Sequence, residues 1–398
     1  MYLLQFLTEA TGESAPLHGV AVEYRLACSG ELYNRTVSTA DWRKSDVTRI
    51  LLRRPIEIFV ASRPFESYPQ ELCSRFTVRF VTETIKNSSA TFLPDEDVIE
   101  DLCSVLTLLS RRLISPAQKT MQRDNDVRPG SSLPANVPMP ILRRPDIAVW
   151  KRRPLGILTS VNGQRIVDDN PPPVGVAPDV LERLLLALPR VAKAQQIIYA
   201  SRPYRTALEF IEARPDISYA LLVSCAETLA NAAFMDFDPT DAEKVKAKLA
   251  VFKEAVKYGL DESKAKTLAV DACKGDRWAR RKFRKFLLEF GSTEELAQKD
   301  TLFLVPEPLN PDLKDIEGIF GQIYDARSGH LHAGSPYPAT VGVETSFSID
   351  GRHLPALLSL SLELPPAAWF ERAVSIAAKR FLFEQTSVTS APFSEYGS

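Results

Sequence analysis

Apolar residues along this chain follow two periods in succession. Up to about residue 92 they come in short β-branched or aromatic runs, YLLQFL, GVAVEYRL, PIEIFVAS and RFTVRFVTETI, separated by clusters of Gly, Ser, Asn and Pro, the pattern of strands and turns. Past Pro94 the period changes. In LPDEDVIEDLCSVLTLLSRRLIS, Val98, Leu102, Val105, Leu106 and Leu109 recur at helical spacing. Acids crowd the first turn of this segment, and Arg111 and Arg112 stand at its end, where the helix dipole favours cations. This helix is expected to close a mainly β N-terminal domain over residues 1–115.

Residues 116–178 break both periods. They hold 11 prolines in 63 positions, PPP at 171–173 among them, together with the basic pairs Arg143-Arg144 and Arg152-Arg153. Proline removes a backbone donor and clashes in helix interiors and central strands, so the stretch reads as a Pro-rich linker with short extended pieces at IAVW and LGILTSVNG. From Asp179 the pattern is helical through VLERLLLALPRVAKAQQIIYA, RTALEFIEA, DISYALLVSCAETLANAAFM, DAEKVKAKLAVFKEAVKYG, RWARRKFRKFLLEFG and IEGIFGQIYDARSGHLHAG. A hairpin-like insertion at about 335–364 precedes PPAAWFERAVSIAAKRFLFEQ, whose Pro pair suits a helix start, and the polar tail from Thr386 is expected to fray. The expected fold class is therefore α+β and multidomain: the β domain with its closing helix, the linker, and an all-α C-terminal bundle over residues 179–388.

Composition narrows the function. A chain of 398 residues, 45% hydrophobic, suits two or three cores, and a formal charge of −1 gives no global field toward nucleic acid or membrane, so any anion site must be local. The five cysteines form no CxxC pair and read as reduced, buried thiols. MYLLQFLTEA lacks a basic leader, and ISYALLVSCA, interrupted by Glu227, falls short of the roughly 20 apolar residues of a membrane span. A cytoplasmic protein with no membrane partner is expected. GxxxxGK[ST], GxGxxG with a following acid, HExxH and GxSxG do not occur, and no cofactor is expected.

Three positions carry candidate chemistry. Glu227 is the only charge between Asp216 and Asp236 on an otherwise apolar helix, and a lone acid there needs a partner. The stretch YDARSGHLHAG, 324–334, places Arg327, His330 and His332 within six positions, using two of the chain's four histidines. Arginine grips phosphate with a planar fork, and imidazole moves a proton near neutrality, the two needs of metal-free RNA cleavage. In KGDRWARRKFRK, 274–285, seven of twelve residues are Lys or Arg; Arg277, Arg281 and Arg284 share a helical face opposite a stripe of Ala279, Phe283, Phe286, Leu287 and Phe290. It reads either as a solvated amphipathic helix or as a phosphate-tracking surface with Trp278 stacking on a base.

YDARSGHLHAG resembles the Arg-Ser-x-x-x-His-Gly signature of Apea-like HEPN domains, within the Arg-x(4–6)-His pattern of the HEPN superfamily. ISYALLVSCAETLANAAF resembles the early HEPN helix with a mid-helix Glu, and PPAAWFERAVSIAAKRFL the final helix; the likeness spans about residues 200–385. Ala333 stands where Gly is common, and the stretch after Gly334 carries an insertion. The resemblance implies a helical bundle that pairs as a homodimer into a metal-independent endoribonuclease acting in phage defence or as a toxin. Arg327 would bind phosphate, His332 act as general acid/base, Ser328 be the polar residue after Arg, and Glu227 partner the arginine. Ideal helix geometry instead favours His330, about 60° from Arg327, over His332 at about 140°. A zinc site built from both histidines and a distant acid is a further alternative, as is a non-catalytic dimerisation or nucleotide-binding scaffold. The N-terminal domain would then bind an unknown trigger.

Overall fold

The computed structural model describes residues 2–11, 19–29, 31–35, 50–52, 54–60, 70–79, 95–124, 173–211, 214–237, 240–271, 278–298, 300, 311–334, 337, 346–349, 352–355, 364–389 and 391–395. It is mixed α/β, with strands gathered toward the N-terminus and helices toward the C-terminus.

The order of elements begins with a helix, α1 (Tyr2–Thr11), where a strand was expected. Leu3, Phe6 and Leu7 fall at i, i+3 and i+4 and are buried, so the helical period wins in a run whose apolar residues also allow alternation. Strands β1 (Gly19–Cys28), β2 (Leu32–Asn34), β3 (Ile50–Leu52), β4 (Glu57–Val60) and β5 (Gln70–Arg79) follow, then α2 (Asp95–Ser110) and β6 (Ile114–Asp124). A five-stranded antiparallel sheet has the order β3-β4-β5-β1-β6, with β1 paired to β5 from Gly19 opposite Arg79 to Cys28 opposite Gln70. β6 carries residues 116–124 into this sheet, so the expected linker starts later than its first proline suggests. Its single described proline in the strand, Pro116, sits where the β1–β6 register shifts.

After residues 125–172, which lie outside the described residues, β7 (Val174–Val176) enters a second sheet between β2, parallel to it, and β10 (Phe393–Glu395), antiparallel. Residues 174–176 of the expected linker and 393–395 of the expected frayed tail are thus paired strands. Burial of Val174 and Val176 explains the first, and backbone pairing with β7 holds the second.

The remaining helices are α3 (Pro178–Ala187), α4 (Ala194–Phe210), α5 (Pro215–Ala233), α6 (Asp241–Lys257), α7 (Glu262–Asp271), α8 (Ala279–Glu289), α9 (Thr293–Ala297), α10 (Ile316–Ala333) and α11 (Ala367–Thr386), with the hairpin β8 (Ser346–Ile349) and β9 (Arg352–Pro355) before α11. α7 was not anticipated, because only two small residues, Ala265 and Ala269, are buried along it, which leaves its period faint. His353 pairs with Ser348 in the hairpin.

α2 is the hub. It packs on β6 and α1 on one side and on α4 and α11 on the other, and a single cluster of buried apolar residues runs from Leu3 to Leu382. Two of its five acids face inward: Asp95 accepts from the Tyr24 hydroxyl at 2.6 Å and pairs with Lys119 at 2.7 Å, and Asp101 pairs with Arg202 at 2.7 Å. Arg111, read from sequence as a cation for the helix dipole, lies 8% exposed with a positive φ of 57°. It bridges Glu371 of α11 at 2.6 Å and Asp300 at 2.7 Å, while the Tyr204 hydroxyl of α4 donates to Glu371. Burial and the neighbouring Glu371 charge push the Tyr204 phenol far above its ordinary range, so it stays a donor. Cys28, Cys73, Cys103 and Cys225 are buried free thiols. Among the described residues no helix is long and apolar enough to cross a membrane.

Candidate functional site

α10 carries the Arg327 motif, and its ends explain its position. Asp315 caps the N-terminus, its side chain accepting from Gly318 N at 3.2 Å, and Gly334 ends the helix in the left-handed region with φ 65° and donates its N–H to His330 O at 3.1 Å. Between them the helix runs unbroken through Gly329. Gly334→Ala and Asp315→Ala are each expected to cost about 1 kcal/mol, from a Cβ forced to positive φ and a lost cap respectively. Urea unfolding checks this, and unchanged midpoints in both variants would contradict the capping geometry.

Phe320 and Ile323 turn inward; Phe320 meets Trp369 and Tyr324 meets Phe283, both across the core from α11 and α8. This fixes the rotation of α10 and brings Arg327 against α5. There its Nη2 pairs with Glu227 Oε2 at 2.8 Å, with side-chain exposures of 20% and 16%. The two residues singled out separately in the sequence, a lone acid on an apolar helix and the arginine of the motif, therefore meet. The Arg327 Nε is buried without a hydrogen-bond partner among the described residues. A guanidinium held by one carboxylate and still partly open keeps donors for a second anion.

Two aromatic residues extend the site, and sequence reasoning missed both. Tyr337, just past the end of α10, stacks on His330 with ring centroids 4.6 Å apart and planes 32° apart. It also meets Tyr219 of α5 at 5.3 Å. Burial pushes the Tyr337 phenol up to about 12, the Arg327 charge opposing and Asp216 and Glu227 adding to the rise. The only signal for Tyr337 was its place in SPYPAT, just beyond the motif, where no period assigns a role. Ser328 lies half-buried on α10; His332 belongs to the same helix, and its side chain lies outside the described residues.

The basic stretch is differently placed from its expectation as an RNA track. Arg277 lies outside the described residues. Trp278 is 8% exposed, packed against Phe237 with Arg281 over its ring at 4.6 Å, and so presents no face to a base. The reason is that Phe283, Phe286 and Leu287 bury α8 against α5, α10 and α11, drawing Trp278 down with them. Arg284 pairs with Glu317 and Arg280 with Asp325 of α10 at 2.6 Å, and Gly321 gives Arg280 the room to lie there. Arg281 and Arg284 remain at the wall of an open groove of about 600 Å3, with Lys285, Phe237, Leu288, Glu289 and Glu317.

Among the described residues no three His, Cys, Asp or Glu side chains gather closely enough to hold a metal ion. Comparison of the chain with known protein families, with curated proteins and with solved structures returns no match.

Proposed function

We propose that the chain is a metal-independent endoribonuclease of HEPN type, with its reaction centre on α10. The observation that carries the reading is the Arg327–Glu227 pair, about one turn of α10 from His330 and about one and a half from His332, with both side chains partly open to solvent. Arg327 holds and neutralises the scissile phosphate, with Glu227 fixing its fork. A histidine of α10, His332 by the resemblance and His330 by helix geometry, takes the proton from the 2′-hydroxyl as that oxygen bonds to phosphorus. The bond from phosphorus to the 5′-oxygen breaks, and the imidazolium returns the proton to it, leaving a 2′,3′-cyclic phosphate and a 5′-hydroxyl. Arg281 and Arg284, at the groove between α8 and the start of α10, are where a further stretch of phosphate backbone would be met. A homodimer would bring two such motifs together, and the N-terminal sheet region would receive the activating trigger.

The test is end-labelled RNA with the purified protein in EDTA, comparing wild type with Arg327→Ala, His330→Ala and His332→Ala. Cleavage in EDTA that Arg327→Ala and one histidine variant abolish supports the reading. Equal, background-level activity in all four samples overturns it in favour of a binding scaffold, and activity lost on adding EDTA overturns it in favour of a metal-dependent reaction.

A further inference from the structure

Gly334 ends α10 in the left-handed region, and three residues on Tyr337 lies against His330. An imidazole on the flank of a helix ordinarily samples several rotamers, and an aromatic stack restricts that freedom. The stacking ring is itself anchored: Tyr219, against which Tyr337 packs, is buried and lies 5.0 Å from Phe370 of α11. Arg327 and His330 share α10, and Tyr219 and Glu227 share α5, so the aromatic contact and the ion pair join the same two helices. Its hydroxyl is buried without a hydrogen-bond partner among the described residues, so the ring rather than the oxygen is what the fold uses. Because α10 is continuous through Gly329, the i+3 relation of His330 to Arg327 holds, about 60° around the helix, whereas position 332 falls about 140° away.

We propose that Tyr337 is a positioning residue, and that the histidine it holds beside Arg327, His330, carries the proton in place of His332. This rests on the endoribonuclease reading for the reaction and on the stack alone for the geometry, and the two are measured separately. The first measurement is the NMR of histidine ring protons in the full chain, with the His330 signal assigned by its loss in His330→Gln. Its ring protons are expected to be displaced upfield by the Tyr337 ring current in wild type and in Tyr337→Phe, and to move back toward free-imidazole positions in Tyr337→Leu.

The second measurement is single-turnover RNA cleavage. His330→Ala is expected to lose about 100-fold or more, as removal of a proton-transfer group does. His332→Ala should lose far less than His330→Ala, Tyr337→Leu should lose about 10-fold through misplacement of the imidazole, and Tyr337→Phe should restore the rate. Ring protons that are unmoved in Tyr337→Leu overturn the positioning role. Cleavage abolished by His332→Ala and kept by His330→Ala overturns the proton assignment. A wild-type protein that cleaves no RNA overturns the nuclease reading and the proton assignment with it, while the NMR result still decides the stack.

Discussion

Glu371→Leu is expected to destabilise the protein by about 3 kcal/mol or more, the range for removing one partner of a buried ion pair. Arg111 would keep Asp300 alone, at a site where its guanidinium is 8% exposed, and the Tyr204 hydroxyl would lose its acceptor inside the core. Arg111→Met should cost a similar amount by leaving Glu371 and Asp300 without their cation. The double variant Arg111→Met, Glu371→Leu should recover part of the loss, because well-packed apolar residues often replace a buried pair without penalty. Urea denaturation of the three variants checks this. Losses under about 1 kcal/mol in both single variants would mean that water reaches the network and relieves the unpaired charge.

Arg327→Ala carries the second large effect, a fall of about 100- to 1,000-fold in the rate of RNA cleavage, as expected for removing one preorganised donor from charge building on phosphorus. Arg327→Lys should rescue little. A lysine ammonium is a single point of charge and cannot both satisfy Glu227 and fork two phosphate oxygens, as the guanidinium can. Glu227→Gln should lose less than Arg327→Ala, since it loosens the arginine without removing it. Rates at saturating enzyme with a defined oligonucleotide distinguish these. An Arg327→Ala protein that cleaves like wild type would remove the arginine from the reaction.

The parts of this architecture that could be read ahead of the coordinates share one property: their side chains report their own surroundings. Glu227 was conspicuous because an acid among Leu222, Cys225, Ala226 and Leu229 demands a cation, and Arg327 answers that demand. The helix from Asp95, the apolar helix from Pro215 and the final helix from Ala367 were legible by period, with boundaries close to those observed. What could not be read depends on distant chain. Val174–Val176 is only three residues long and becomes a strand because β2 and β10 lie on either side of it, neither of which is near it in sequence. Trp278 looked exposed beside so many cations, but the aromatic stripe behind it carries it into the core. Arg111 read only as a cation matching the helix dipole because its acceptors are Asp300 and Glu371, far along the chain. Tyr337 lies in a stretch without periodicity, and nothing in its neighbours' pattern announces its contact with His330.

The small sheet joining residues 32–34, 174–176 and 393–395 bears on how the protein is made. While the chain is still on the ribosome, β7 can pair with β2, but the opposite edge of β7 stays bare until translation has passed residue 395 and the segment has left the exit tunnel. A nascent or prematurely stopped chain would therefore present an open row of backbone donors and acceptors, the kind of edge that other extended chains join. Holdase chaperones should bind ribosome-stalled chains ending before residue 393 more strongly than those released after it.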